Sequence, residues 1–269
     1  MANSTSGESV IHRVVRILAA FADEAPALQL RELSRKVDLP LSTVHRLVGE
    51  LEIEGLLVRD PSGRLRHGHR LWELASRGSR AASLRESALP VMEDLAAHTG
   101  HNISLGVLEG TDVLYIERLA LNESVVNITR IAGRLPVHGC SGGLVFMAFA
   151  PEEDQERFLS RRLEKLTDAT VTDPHELRKV LAIIRQTGYC SMAGIIVDES
   201  SGISVPIFAD GDQPLACLTA IVTRGQENVP ALVPQMQMAA RAISRRLGYN
   251  PAPVGTLRRS LPAPNSTPA

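Results

Sequence analysis

Apolar residues recur at helical spacing over the first part of the chain. Val10, Val14, Ile17, Leu18 and Phe21 predict an amphipathic first helix. Ala25-Pro26 ends it, because the residue before a proline is pushed out of the helical region. A short second helix carries Leu30, Leu33 and Val37 on one face, with Arg31, Glu32, Arg35 and Lys36 elsewhere. In "VDLPLSTVHRLVGELEIEGLL", Asp38 suits a left-handed turn, Pro40 a helix entry, and Ser42 or Thr43 a cap. Val44, Leu47, Val48 and Leu51 then form an i, i+3, i+4, i+7 stripe that must face a core. Ser42, Thr43, His45, Arg46 and Glu50 stay outside it. In "GLLVRDPSGRLRHG" the turn Pro61-Ser62-Gly63 separates two short extended runs. Three helices and a basic hairpin predict a winged helix-turn-helix.

Further along, 70–84 has the composition of a linker helix. Pro90 is expected to interrupt or kink the next helical run, whose inward residues are Ala88, Val91, Met92 and Leu95. Strand patterns follow: "NISLGVL" and "DVLYIERL" around Glu109-Gly110, then "SVVNITR". Helices are predicted near 139–149 and over 174–187. The second has Asp173 as N-cap, Pro174 in the first position, Glu176 completing a capping box and Gly188 as terminator. "GISVPIF" and "LACLTAIV" flank the turn at Asp210-Gly211-Asp212, and a final helix runs near 230–247. That order suits an antiparallel sheet covered by helices, so the fold class is α+β. The segments read as a disordered N-terminus at 1–8, a winged helix-turn-helix at 9–69, the linker at 70–84, a sheet domain at 85–250 and a Pro- and Ser-rich tail at 251–269.

Composition narrows the class. Apolar content of 44% and charged content of 22% are those of a globular protein. The longest apolar run, Leu144 to Ala150, is too short to span a bilayer, and "MANSTSGES" lacks the order of a signal peptide. Cys140, Cys190 and Cys217, odd in number and without C-x-x-C spacing, argue against a disulfide framework or a zinc cage. The reading is a cytoplasmic protein with reduced thiols, no metal, no cofactor and no membrane partner. Net charge is −1, yet Arg59, Arg64, Arg66 and Arg70 cluster with His67 and His69. Such a cluster either holds phosphates or is a solvated turn. Near the start of the third helix, Arg46 is placed to reach guanine O6 and N7 or a phosphate, and Ser42 and Thr43 to reach phosphates. Arg31 and His45, with Arg59, Arg64 and Arg66 on the wing, complete the DNA-binding candidates.

"HGCSGG", His138 to Gly143, contains G-x-S-x-G, the pattern of a hydrolase nucleophile elbow. Its context is wrong. Pro136 argues against a central strand before it, and His175, the one histidine after Ser141, opens an ordinary helix. Three glycines entering a helix suit an anion or polar ligand atom on the helix's free N–H groups; they also suit close packing of helix on sheet.

Residues 10–75 resemble the DNA-binding domain of the IclR family of bacterial transcription regulators, most clearly in "LRELSRKVDLPLSTVHRLVGELEIEGLLVRD". "GRLPVH" at 133–138, Gly143 and "SGISVPIFADGDQPLACLTA" resemble that family's effector-binding domain, a GAF-like sensor. The resemblance implies a non-enzymatic regulator, expected to be a repressor of a catabolic or metabolic operon. It implies binding to a double-stranded, palindromic operator as a homodimer or homotetramer. It also implies an effector pocket at Asn127, Leu135, Cys140, Ser141, Gly142, Met192, Gly202, Thr219 and Ile221. Apolar Met192 and Ile221 point to a larger effector of aromatic type, its polar head at Ser141 and Thr219. Two alternatives stay open: a ligand-binding module without DNA binding, and a small esterase or amidase using Ser141 or Cys140.

Overall fold

The computed structural model describes residues 8–21, 26–121, 125, 127–209 and 211–249. The chain divides into two compact units, Met1–Ala82 and Ser83–Ala269. The predicted break at Ala25, the termini at 1–7 and 251–269 and Asp210 lie outside the described residues. Glu8, expected in a disordered end, is held by Arg16 at 3.1 Å.

The first unit contains α1 (Val10–Ala19), α2 (Leu30–Lys36), α3 (Leu41–Ile53), β1 (Leu57–Arg59), β2 (Leu65–His67) and α4 (His69–Ser76). Ile17, Leu33, Val37, Val44, Leu47, Val48, Leu51, Leu57 and Leu65 close one core. Each such side chain contributes roughly 1.5–3 kcal/mol on leaving water. β1 and β2 pair antiparallel, Leu57 opposite His67 and Arg59 opposite Leu65. Leu28 bridges the other side of β2: its N–H donates to Leu65 O at 3.0 Å, and Leu65 N–H donates back at 2.8 Å. The turn into α3 needs a left-handed residue, and Asp38 supplies it at φ 46°. Pro40, and neither Ser42 nor Thr43, is the N-cap of α3, which begins at Leu41 without a side-chain cap. Its fixed φ already suits the helix entry.

The linker is two helices instead of one. α4 ends at Ser76, Arg77 turns extended and Gly78 adopts φ 72° before α5 (Arg80–Thr99) begins. Pro90 does not break α5. Ala88, Met92 and Leu95 on either side of it are buried, and that packing holds the helix across the lost N–H bond.

In the second unit, β3 (Asn102–Glu109), β4 (Asp112–Leu119), β5 (Arg134–Pro136), β6 (Cys190–Ala193), β7 (Ser200–Phe208) and β8 (Pro214–Thr223) form one antiparallel sheet in the order β5-β4-β3-β8-β7-β6. With α5, four further helices join it: α6 (Ser141–Phe149), α7 (Glu152–Leu159), α8 (Pro174–Thr187) and α9 (Val229–Arg246). The strand predicted at "SVVNITR" is absent from its described residues. The edge position is taken by Arg134–Pro136, where Pro136 is tolerated because an edge strand has an unpaired side. The short α7 and β6 were not predicted: α7 buries only Phe158 and Leu159, and β6 only Cys190.

Alternation along the strands sorts two cores. Ile203, Val205, Leu218, Ala220, Ile103 and Leu105 meet α5 and α9. Cys217, Tyr115, Val113 and Cys190 meet α6 and α8 on the other face. α8 has its predicted ends: Asp173 Oδ1 accepts from the N–H groups of His175 and Glu176, and Gly188 closes it in the left-handed region. Glu176 Oε1 instead accepts from Lys179 at 2.9 Å.

Candidate DNA-reading surface and effector site

On α3, burial of Val44, Leu47, Val48 and Leu51 leaves Ser42, His45 and Arg46 exposed, with Thr43 half-buried. Arg46 Nη1 lies 2.6 Å from Glu50 Oε1, one turn on, with both side chains 58% exposed. Such a pair is worth only about 0.3–0.5 kcal/mol, so a phosphate or guanine can draw the guanidinium away.

Asp60 organises the wing. Its Oδ1 accepts from Ser62 N–H at 2.9 Å, Ser62 Oγ at 2.6 Å and Arg64 N–H at 3.1 Å, while Oδ2 meets Arg66 Nε at 3.2 Å. The Ser62 hydroxyl is the largest of the causes that lower its carboxyl to about 2. Arg59 pairs with Glu52 at 2.9 Å, so two wing cations are partly neutralised. Arg64, at the hairpin tip, and Arg31, on α2, are exposed and pair with no carboxylate among the described residues. His67 is turned away from this surface: its Nε2 contacts Leu18 O at 2.8 Å and its ring lies 4.8 Å from Phe21.

In the second unit, three strands place the predicted effector residues in adjacent rows. Met192, Gly202, Ile221 and Asn102 are in register across β6, β7, β8 and β3. The next row is Cys190, Ser204, Thr219 and Ser104. The N-terminus of α6 closes over both. Ser141 Oγ lies 2.7 Å from Ser204 Oγ, and Ser204 Oγ lies 2.7 Å from Thr219 Oγ1. Beyond Thr219, Ser104 Oγ meets Thr129 Oγ1 at 3.3 Å, and Thr129 Oγ1 donates to Asn127 Oδ1 at 2.5 Å. The result is a buried line of hydroxyls running from Ser141 toward the Asn127 amide, whose Nδ2 has no hydrogen-bond partner among the described residues.

Ser141, Gly142, Gly202, Thr219 and Asn127 therefore converge. A Cβ on Gly202 would come within 2.6 Å of Ser141 Oγ, and one on Gly142 within 2.6 Å of Cys217 Sγ. At Gly143 it would come within 2.1 Å of Val137 O. The loop's glycines thus bring α6 down onto the sheet, and protein atoms fill the space that a side chain would take. Leu135 sits apart, beside Val113 on β5 and packed into the cluster around Tyr115.

Cys140 precedes Ser141, but it is buried in the same cluster as Tyr115, and burial pushes its pKa up to about 11. Cys217 rises to about 12 for the same reason, and Cys190 also rises. His138 Nε2 is engaged by Glu164 O at 2.9 Å. Ser141 thus has a serine beside it where a nucleophile elbow needs a histidine.

Sequence reading missed Ser204, Ser104 and Thr129. The signal for the two serines was present: Asn102, Ser104 and Gly106 alternate with Ile103, Leu105 and Val107, and Gly202, Ser204 and Pro206 with Ile203, Val205 and Ile207. Small or polar residues at every second position of a central strand mark a face that is not ordinary core.

A winged helix-turn-helix unit followed by a sheet unit with a buried polar row defines a DNA-binding regulator with a ligand-sensing domain. The model of the IclR helix-turn-helix domain matches residues 10–61, and that of the bacterial transcriptional regulator IclR C-terminal matches 79–245. The second match alone exceeds half of the chain, and the chain belongs to the IclR family of transcription regulators. It is 28% identical to the HTH-type transcriptional regulator KipR of Bacillus subtilis, covering 83% of this chain and 91% of that one. To XynR of Escherichia coli it is 28% identical, covering 89% and 97%. Among solved structures, an IclR homolog from Microbacterium hydrocarbonoxydans complexed with 4-hydroxybenzoate shares 41% identity, covering 89% and 99%, at a TM-score of 0.84. These matches are to transcription regulators, and the chain is a DNA-binding, effector-responsive regulator without catalytic activity.

Proposed function

We propose that this regulator represses a catabolic operon and responds to a small aromatic acid held along the Ser141–Ser204–Thr219 row. The row itself is the observation that carries this reading: neutral hydroxyls suit a phenol or carboxyl head, and the neighbouring Met192 and Ile221 suit a ring. The likeness to a homolog complexed with 4-hydroxybenzoate supports the same class of ligand. Asn127, Cys140, Gly142 and Gly202 complete the proposed pocket.

On the DNA side, Ser42, Thr43, His45 and Arg46 read the major groove, and Arg31, Arg59, Arg64 and Arg66 hold phosphates. One recognition helix reads a short half-site, so a dimer or tetramer on a palindrome is required for specificity. Exposed apolar residues support oligomerisation: Ile11 and Val15 on α1, and Trp72 and Leu74 on α4. A regulator bound to the chromosome works in the cytoplasm. The ligand's leverage equals its differential affinity for the two DNA-domain arrangements.

The test is fluorescence anisotropy on the DNA upstream of the protein's own gene, titrated with salt, for wild type and Arg46→Ala. Steep salt dependence, and a loss of about 1–3 kcal/mol in the variant, is expected. 4-Hydroxybenzoate should then shift the wild-type curve. Binding unchanged by Arg46→Ala would overturn the assignment of the reading helix; no shift with aromatic acids would overturn the effector class.

A further inference from the structure

A second cleft, of about 470 Å³, lies on the sensor unit away from the hydroxyl row. Phe149, at the end of α6, and Phe208, on β7, pack edge to face at 5.4 Å; Phe208 and Tyr249 lie nearly parallel at 6.0 Å. These rings and Pro206 form an aromatic wall. β6 pairs with β7 only as far as Cys190 opposite Ser204, so Val205–Phe208 runs on without an outer strand. That edge is closed to strand addition. Pro206 has no N–H, and the Phe208 N–H donates to Ser244 Oγ at 3.1 Å. Across from the strand, α9 contributes Arg241 and Arg245, one turn apart. Both are exposed, and among the described residues neither pairs with a carboxylate and no acidic residue lines the cleft.

We infer that this cleft is a second ligand site, for a flat aromatic carboxylate. Its ring lies against Phe208 and Tyr249, and its carboxylate meets the Arg241 and Arg245 guanidiniums. Guanidiniums bind carboxylates through parallel N–H donors, and they prefer this to water when a neighbouring apolar wall excludes solvent. A peptide strand is the wrong occupant because the edge offers no ladder. The chain's own residues after Tyr249 are also wrong, since they carry Arg258 and Arg259 and no Asp or Glu. The site uses the C-terminal half of β7 with α9, whereas the proposed effector row uses Gly202 and Ser204 with α6. The inference therefore stands independently of that reading.

The test titrates the full chain with 2-naphthoate, followed by the ligand's fluorescence anisotropy. The proteins are wild type, Arg241→Gln/Arg245→Gln and Gly202→Ala, whose methyl displaces the Ser141 hydroxyl. Wild type should show two classes of site. The double arginine variant should lose one, by roughly tenfold or more in affinity, with an unchanged melting temperature because both side chains are exposed. Gly202→Ala should weaken only the other class. The neutral analogue 2-naphthamide should bind wild type and the arginine variant alike at the cleft. A single class of site that the arginine substitutions leave unchanged, or two classes both unaffected by them, would overturn the inference. Loss of the arginine-dependent class alone, with Gly202→Ala silent, would uphold it and refute the effector row instead.

Discussion

Replacing Ser204 by alanine deletes the middle hydroxyl of a buried chain. Ser204 is fully inaccessible, and its Oγ lies 2.7 Å from both Ser141 Oγ and Thr219 Oγ1. Each hydroxyl has one proton and two acceptor sites, so Ser204 donates to at most one neighbour and accepts from the other or from both. Its removal takes a partner from Ser141 and from Thr219. At roughly 1–3 kcal/mol for each orphaned group, the expected loss is about 2–4 kcal/mol, a large share of the ~5–15 kcal/mol of a typical domain. Chemical denaturation followed by circular dichroism, on Ser141→Ala, Ser204→Ala and the double variant, measures it. The double variant should cost less than the two singles together, by about 1 kcal/mol, because removing Ser141 also removes an orphan. Single losses under about 0.5 kcal/mol, adding to within about 0.3–0.5 kcal/mol, would show that the hydroxyls are not coupled and would refute the bonded row.

Gly143→Ala should destabilise the sensor unit by about 3 kcal/mol or more, since the methyl would meet rigid backbone at 2.1 Å. Gly49→Ala, on α3 with nothing within 4 Å of the new methyl, is the control and should stabilise by roughly 0.5–1 kcal/mol in the same melts. Asp60 is held at about 2 against an ordinary 3.8, so its contribution to the wing is fully present above about pH 4 and is lost as pH falls toward 2. An NMR titration of the Ser62 and Arg64 amides should show that low midpoint, and Asp60→Asn should abolish it. All three cysteines are buried with raised pKa values, so iodoacetamide should label none of them in the native protein at mildly alkaline pH and all of them in denaturant. Rapid native labelling of Cys140 would contradict its burial beneath the start of α6.

Much of the fold was legible because local rules and burial agreed. The stripe Val44, Leu47, Val48, Leu51 is buried as its spacing required, and Asp173, Pro174 and Gly188 bound α8 as their backbone preferences required. Disagreements arose where a long-range contact outweighed a local preference. Pro90 stays within a helix because both sides of it are packed, and Pro136 serves as a strand because it pairs at an edge. α7 and β6 are too short and too exposed to show a periodicity.

The amino-acid sequence by itself determined the winged helix-turn-helix, the alternation of the sheet and the outward polar face of α3, since each depends on residues a few positions apart. It also carried "HGCSGG", without saying what those residues do. Only the tertiary structure decided that Ser141 meets Ser204, 63 positions away, and that the glycines bring α6 onto the strands. Strand register across β7, β8 and β3 assembled the hydroxyl row, and the early end of β6 left the aromatic cleft beside α9. Register is a property of paired strands, fixed when all buried faces are satisfied together, and no single segment encodes it.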